Sequence, residues 1–284
     1  MLIQRVLTAA LALPMLLWII VRGERWQMLA VFLACVAISV HELSSMVVPS
    51  LEAKILGEEH RSKKIVGTFW YLSGIVISVI LFFVATQGDY DTGRSGIALG
   101  FVVLMLVGVF TAKSIDRSMI RTIGLLVTMG YAVVPWLAVW DLYILKEKSV
   151  YLFLLFTIVM GCDTGAYFGG RAFGKRKLAP NLSPKKTWEG AFFGILTAIL
   201  SSLALNHYYD QTLGSDFLVG ITALFGGIAG ILGDLLESGF KRFAGVKDSG
   251  VIFPGHGGFL DRVDAIIIAA PVVWVFVYNF LLPK

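Results

Sequence analysis

Residues 216–236 read DFLVGITALFGGIAGILGDLL, and the charged residues of this apolar run are Asp216 and Asp234. A helix needs about 20 mostly apolar residues to cross a bilayer, so the run predicts a transmembrane helix. Gly226, Gly230 and Gly233 recur at small-residue spacing along it. This spacing predicts close packing against a neighbouring helix.

Other stretches of the chain are long and apolar enough for the same interpretation: 3–21, 27–48, 66–86, 96–112, 122–140, 150–170, 188–206 and 263–282. The first could be a signal peptide, but no small-x-small cleavage motif follows it, which favours a retained helix. The apolar runs are continuous rather than alternating, so membrane-spanning strands are not expected. The sequence thus predicts an all-α integral membrane protein with about nine transmembrane helices.

Composition excludes several other classes of protein. The 284 residues are 57% hydrophobic and 15% charged, with a mean hydropathy of +0.80, whereas soluble domains carry about 25% charged residues. Such hydrophobicity excludes a disordered chain, and 2 cysteines are too few for a disulfide scaffold. The net charge of +5 comes without basic runs interleaved with aromatic residues, so no nucleic-acid partner is expected. The expected environment is a lipid bilayer.

Lysine and arginine are unevenly divided between the two sets of predicted loops. The N-terminus and the loops after the second, fourth, sixth and eighth helices hold 18 of them, and the opposite set holds 6. Because basic loops stay on the cytoplasmic side, we expect a multi-pass protein of the inner (cytoplasmic) membrane with its N-terminus cytoplasmic and its C-terminus outside. No linker or repeat divides residues 1–284, so we expect a single membrane domain. Within it, 1–140 carries no diagnostic motif and 150–284 carries the polar ones.

Carboxylates lie in the predicted helices, where an ionisable group usually marks function. With the orientation above, the candidates fall in the cytoplasmic halves of their helices or at that end: Glu42, Asp163, Glu189, Asp234, Glu237, Asp261 and Asp264. Asp234 and Glu237 are three residues apart, as are Asp261 and Asp264, so each pair shares one helical face. Two such pairs could converge on a divalent metal ion, which prefers hard oxygen ligands. The alternative is ordinary helix capping, which we favour for Glu42 and Glu189.

Basic residues lie on the same predicted side. Ser183 and Pro184 are typical of an N-cap and a first helical residue, which would place Lys185 and Lys186 in a helical turn suited to phosphate. The loop 238–262 adds cations, a histidine and glycines that allow an anion nest: Lys241, Arg242, Lys247, Arg262, His256, Gly257 and Gly258. The histidine could be a metal ligand, a phosphate donor or a turn residue.

Carboxylates, cations and glycines on one membrane face indicate chemistry on a metal-bound polyphosphate, and no soluble P-loop motif is present. A lipid-alcohol kinase or a polyprenyl-phosphate transferase could use the same groups, and nucleotide choice and lipid product would separate them. A cation transporter predicts charges at the bilayer midplane and inverted repeats, and neither is evident. A purely structural membrane protein would give no reason for the clustered carboxylates.

The stretch from Ser238 to Asp264 resembles the signature of the CTP:phosphatidate cytidylyltransferase family, also called the CDP-diacylglycerol synthase family. The matching residues are Ser238, Lys241-Arg242, Lys247-Asp248, His256-Gly257-Gly258 and Asp261-Arg262-Val263-Asp264. Further stretches are similar to the same family, namely Asp163-Thr164-Gly165-Ala166-Tyr167, the run 183–190, and Gly233-Asp234 followed by Glu237-Ser238.

The resemblance implies transfer of CMP from CTP to phosphatidic acid, which gives CDP-diacylglycerol and pyrophosphate in phospholipid synthesis. It also implies a homodimer and a Mg²⁺ ion, beside which a monovalent cation such as K⁺ could sit. The catalytic residues would be Asp234, Asp261, Lys241 and Arg242. The metal ligands would be Asp234, Asp261, Asp264, Asp163 and Glu237. Substrate phosphates would bind Lys185, Lys186, Lys247, His256, Gly257, Gly258 and Arg262, at an active site on the cytosolic side.

Overall fold

The computed structural model describes residues 17–57, 68–87, 102–103, 106, 114–145, 149–250, 252 and 257–282. Residues 17–22 are helical. The rest of the predicted helix 3–21, and nearly all of the predicted helix 96–112, lie outside the described residues. His256 of the predicted anion nest also lies outside them.

The described part of the chain is predominantly helical. The helices are α1 (Arg25–Leu56), α2 (Thr68–Gln87), α3 (Ile115–Ala132), α4 (Val134–Ile144), α5 (Val150–Phe173), α6 (Trp188–Tyr208), α7 (Asp216–Ala244) and α8 (Leu260–Phe276). A π-helical turn, Val277–Leu281, extends α8. Two short strands, β1 (Lys177–Ala179) and β2 (Ser183–Thr187), lie between α5 and α6.

Within the described residues, six segments are long and apolar enough to cross a membrane: Arg25–Leu56, Ser118–Ile144, Val150–Phe173, Trp188–Tyr208, Asp216–Ala244 and Leu260–Leu281. Each contains or overlaps one predicted span. The predicted helix 66–86 is also present, as α2, although it is not among those six. The helical, multi-pass architecture is therefore confirmed, whereas the total of nine spans and the orientation of the termini stay predictions.

The strands correct the sequence-based expectation in one place. β1 and β2 form an antiparallel hairpin in which Lys177 pairs with Thr187, so the predicted helix start at Ser183–Pro184 is wrong. Thr187 is the N-cap instead, and its hydroxyl accepts the Gly190 N–H at 3.1 Å. The later start suits the helix dipole because the first turn then contains Glu189 rather than two lysines.

The chain divides into two compact units. The first, called the N-terminal unit, comprises Met1–Leu137 and Phe240–Asp261. The second, called the C-terminal unit, comprises Ala138–Gly239 and Arg262–Lys284. The signature stretch is therefore divided between them, since its loop groups with the N-terminal helices and Asp264 groups with the C-terminal ones.

Aromatic packing joins the signature loop to the helices of the N-terminal unit. The Phe32 ring of α1 stacks on Phe82 at 6.3 Å and meets the edge of Trp136 at 5.8 Å. Trp136 in turn stacks on Phe259 at 5.9 Å and donates its indole N–H to the Ser39 hydroxyl at 3.2 Å. Because aromatic pairs of this kind add to the stability of simple burial, the end of the loop is held against α1 and α4.

Small residues determine the packing of the C-terminal unit. A Cβ at Gly226 would lie 2.8 Å from Val273 Cγ2, and one at Gly233 would lie 2.5 Å from the Asp264 carbonyl oxygen. Both glycines therefore permit a close approach of α7 and α8 that alanine would prevent. The close packing predicted from the glycine spacing of residues 216–236 is confirmed.

Candidate active site

An aspartate–lysine pair lies in the C-terminal unit. Asp234 is on α7, and its Oδ2 lies 2.6 Å from the Nζ of Lys186 on β2. Ser238, one helical turn later, donates its hydroxyl to Asp234 Oδ1 at 3.5 Å. The two charged side chains are 25% and 34% exposed, so the pair is accessible to a ligand yet oriented by its neighbours.

The hairpin separates the two lysines that the sequence placed together. Successive side chains of a strand point to opposite faces, and Lys185 is exposed while Lys186 is half-buried beside Asp234. Glu189, at the start of α6, binds the segment that follows α5. Its carboxylate accepts the backbone N–H groups of Lys175 at 3.0 Å and Arg176 at 3.1 Å. Both N–H groups follow the end of α5 and belong to no helical turn, so the expected role of Glu189 in helix capping stays a prediction.

A second carboxylate belongs to the same cluster. Asp163 on α5 interacts electrostatically with Asp234, whose charge repels it, and with Lys186, whose charge attracts it. The C-terminal unit thus brings together two carboxylates and one ammonium group, which come from α5, α7 and β2. Three of the residues predicted from sequence therefore lie close enough to interact electrostatically.

Two further predicted carboxylates belong to this unit. Asp264 lies in the first turns of α8, where its backbone approaches Gly233, and its Oδ1 accepts the Ala265 N–H at 2.8 Å. Glu237 on α7 is fully buried. Neither observation assigns a metal-binding role, so those two roles stay predictions.

The second aspartate–lysine pair lies in the N-terminal unit and is more buried. Asp261 Oδ1 accepts from Lys241 Nζ at 2.6 Å, and the side chains are 10% and 14% exposed respectively. Asp261 Oδ2 accepts from the Ser249 N–H at 2.9 Å, the Ser249 hydroxyl at 3.1 Å and the Gly258 N–H at 2.8 Å. Four donors therefore determine the orientation of this carboxylate.

Glu42, for which the sequence favoured ordinary capping, is connected to Asp261 through the Ser249 hydroxyl. It is 1% exposed on α1 and accepts from the Ser249 hydroxyl and from the backbone N–H groups of Phe259 and Leu260, each at 2.9 Å. The signal in the sequence was a glutamate inside an apolar run, which is costly unless the carboxylate is satisfied. What the sequence did not reveal was the partner, more than 200 residues away along the chain.

The glycine loop is used differently from the predicted anion nest. Gly257 has the positive φ expected of it, at 83°, but the Gly258 N–H donates to Asp261 rather than pointing to open space. The remaining predicted cations, Arg242, Lys247 and Arg262, are exposed. Their phosphate-binding roles, like that of His256, stay predictions.

Within the residues that the structure describes, no group of three or more His, Cys, Asp or Glu side chains is arranged to hold a metal ion by itself. Asp234 and Asp261 belong to different units. The predicted sharing of one metal ion by these two aspartates therefore stays a prediction.

The fold and the site together define the class of this protein. It is a multi-pass helical membrane protein whose polar residues form aspartate–lysine pairs. The chain belongs to the cytidylyltransferase family, whose sequence profile matches residues 3–280. The phosphatidate cytidylyltransferase of Staphylococcus epidermidis is 34% identical over 276 residues, which cover 95% of this chain and 96% of the relative. The protein of that name from Haemophilus influenzae is 49% identical over 137 residues, 46% of this chain and 47% of the relative. The Staphylococcus aureus protein of that name is 38% identical over 181 residues, 63% of this chain and 67% of the relative.

Proposed function

We propose that this chain is a phosphatidate cytidylyltransferase, which transfers CMP from CTP to phosphatidate and releases pyrophosphate. The observation that carries the proposal is the similarity to the Staphylococcus epidermidis protein of that name along 95% of the chain. The aspartate–lysine pairs support it, because phosphoryl chemistry requires positioned positive charge and carboxylates for a metal ion.

The reaction needs little assistance with proton transfer, but it requires the protein to offset the negative charge of both substrates. A phosphate monoester has a second pKa near 6, so the phosphatidate oxygen is a ready nucleophile at pH 7. Its bond to the α-phosphorus of CTP forms as the bond from that phosphorus to the bridging oxygen of pyrophosphate breaks. The protein must therefore hold both substrates in line and offset their negative charge.

Lys186 and Lys241 are the cations best placed to do this. Each ammonium group lies 2.6 Å from an aspartate and is at most 25% exposed, so its position is determined before a substrate arrives. A phosphate oxygen can take the place of the aspartate as the acceptor. Lys185, Arg242 and Lys247 would add positive charge from exposed positions.

Asp163 and Asp234 fit the requirements of Mg²⁺. This ion is commonly bound through one or two carboxylates together with substrate phosphates and water, so a pair of carboxylates is a sufficient protein contribution. When bound, Mg²⁺ would offset charge on the triphosphate. We assign Asp261, Asp264 and Glu237 to the same metal chemistry on the resemblance, and a second cation such as K⁺ on the same ground.

The setting of the reaction follows from the resemblance and the distribution of basic residues. We propose a homodimer in the inner membrane with the site on the cytosolic side, where 18 of the 24 basic residues are predicted to lie. Phosphatidate would then keep its acyl chains in the bilayer while its phosphate reaches the lysines.

The test uses purified full-length protein in detergent micelles that contain phosphatidate, CTP and Mg²⁺. Label from α-³²P-CTP should enter the chloroform-soluble lipid, and label from γ-³²P-CTP should remain in water because it leaves with pyrophosphate. Omission of phosphatidate or addition of EDTA should abolish lipid labelling. Lipid labelling from γ-³²P-CTP would indicate a lipid kinase, and no labelling by folded protein would refute the proposal.

A further inference from the structure

A buried carboxylate on the N-terminal helices holds the signature loop. Glu42 is 1% exposed, and its three donors all come from the segment 249–260. An ionised carboxylate removed from water destabilises a fold by several kcal/mol unless its oxygens are fully hydrogen-bonded. Two of the three donors are the backbone N–H groups of Phe259 and Leu260, at the start of α8, where such groups lack partners within the helix. Glu42 therefore satisfies N–H groups that the hydrogen bonds within α8 leave without an acceptor.

The same network continues from Glu42 to Asp261. The Ser249 hydroxyl oxygen lies 2.9 Å from Glu42 Oε2 and 3.1 Å from Asp261 Oδ2. A hydroxyl has one hydrogen to donate, so it bridges the two carboxylates by donating to either. Ser249 and Gly258 also donate their backbone N–H groups to Asp261 Oδ2. Two N–H groups thus donate to Oδ2, the hydroxyl joins them when it does not donate to Glu42, and Oδ1 is the oxygen that faces Lys241.

Two glycines show that the loop is shaped around Glu42. A Cβ at Gly258 would overlap the Ser249 hydroxyl and lie 2.5 Å from both Glu42 Oε2 and the Gly250 backbone nitrogen. A Cβ at Gly250 would overlap the Glu42 carboxylate. Because both contacts involve buried groups with little room to move, an alanine at either position would displace the carboxylate from its donors.

We propose that Glu42 is a positioning residue for cytidylyl transfer, acting through Ser249 to hold Asp261 with Oδ2 occupied and Oδ1 directed at Lys241. This inference rests on the proposed function and adds to it a residue outside the signature. Glu42 does not touch the reacting atoms. Its contribution is to the geometry of the Asp261–Lys241 pair, and this geometry is lost when the bridge is broken.

The experiment compares Glu42→Gln, Ser249→Ala and the double variant in the α-³²P-CTP assay. In Glu42→Gln an amide NH₂ replaces one of the two acceptor oxygens and faces donors. We expect kcat per folded molecule to fall on the order of 10- to 100-fold, the usual loss for a residue that orients an active-site ligand, with KM for phosphatidate little changed. Glu52→Gln is the matched control, since Glu52 lies on the same helix and pairs with Arg121 at 3.3 Å, away from the network.

Ser249→Ala separates positioning from helix capping. It removes the hydroxyl bridge but leaves Glu42 on the Phe259 and Leu260 N–H groups. If Glu42 only capped α8, Ser249→Ala would leave kcat unchanged, and this result overturns the proposal even where Glu42→Gln fails to fold. If the bridge carries the effect, Ser249→Ala lowers kcat and the double variant loses no more than Glu42→Gln alone. Additive losses would overturn the relay.

Hydrogen exchange gives a readout that is independent of activity. Glu42→Gln should accelerate exchange in peptides covering 257–261 while leaving peptides from α5 and α6 unchanged. Unchanged exchange at 257–261 would contradict the proposal. Failure of the proposed function and failure of the positioning role give different results. An inactive wild type refutes the proposed function, whereas an active wild type with a fully active Glu42→Gln variant refutes only the positioning role.

Discussion

Asp261→Asn tests the buried ion pair and the proposed site together. In the structure four groups can donate to the Asp261 carboxylate, namely the Lys241 ammonium to Oδ1 and, to Oδ2, two N–H groups and the Ser249 hydroxyl that is shared with Glu42. Asparagine offers one oxygen. If this oxygen keeps the three donors of the Oδ2 side, the amide NH₂ must face the ammonium group across a distance that is now 2.6 Å.

The magnitude follows from what is lost. One hydrogen bond to a charged group contributes about 1.5–3 kcal/mol, and breaking one partner of a buried ion pair destabilises by about 3–5 kcal/mol. Since Lys241 is 14% exposed and can gain some hydration, we expect the variant to lose about 3 kcal/mol of unfolding free energy. We also expect it to lose cytidylyl transfer.

The assay pairs thermal melting in detergent micelles with α-³²P-CTP labelling of lipid. The double variant Asp261→Asn/Lys241→Met should regain most of the stability, because it contains no unpaired buried charge, and should remain inactive. Near-normal labelling by Asp261→Asn would refute the catalytic assignment. A double variant that melts no higher than Asp261→Asn would refute the electrostatic reasoning.

The other predictions concern Lys186 and the glycine loop. Lys186→Met should lower kcat on the order of 100-fold, as loss of a positioned charge-stabilising group does, with a stability change within about 1 kcal/mol because the pair is partly solvated. Lys185→Met, on the exposed face of β2, should lower kcat far less. Equal losses of kcat in the two variants would contradict the hairpin geometry. Gly258→Ala should lower kcat at least as much as Ser249→Ala, measured by the same labelling, since its Cβ would meet Glu42 Oε2 at 2.5 Å. The control is Gly130→Ala in α3, where a Cβ would meet nothing within 4 Å and the free energy of unfolding should rise by up to about 1 kcal/mol. A Gly258→Ala variant with normal kcat would contradict the packing around Glu42.

Features that depend on residues close together in the chain were predictable from the sequence. A run of apolar residues is itself the condition for a spanning helix, and the six spanning segments follow the predicted ones. The glycines of α7 also pack as their spacing indicated. The helix start near residue 183 was not predictable in this way, because Ser183 and Thr187 are both good N-cap residues. The choice between them depends on pairing of β2 with β1, in which Lys177 contacts Thr187.

By itself the sequence determined which segments are apolar enough to form membrane helices, which residue types could carry charge chemistry, and the resemblance to the cytidylyltransferases. Each of these depends on residues that are neighbours in the chain or on one helical face. Only the tertiary structure decided that Lys186, and not Lys185, pairs with Asp234, and that Glu42 binds a loop 207 to 218 residues further along. The physical reason is that a buried charge is tolerated only where donors from distant segments meet it, and the sequence pattern of one segment contains no information about where another segment's donors will lie.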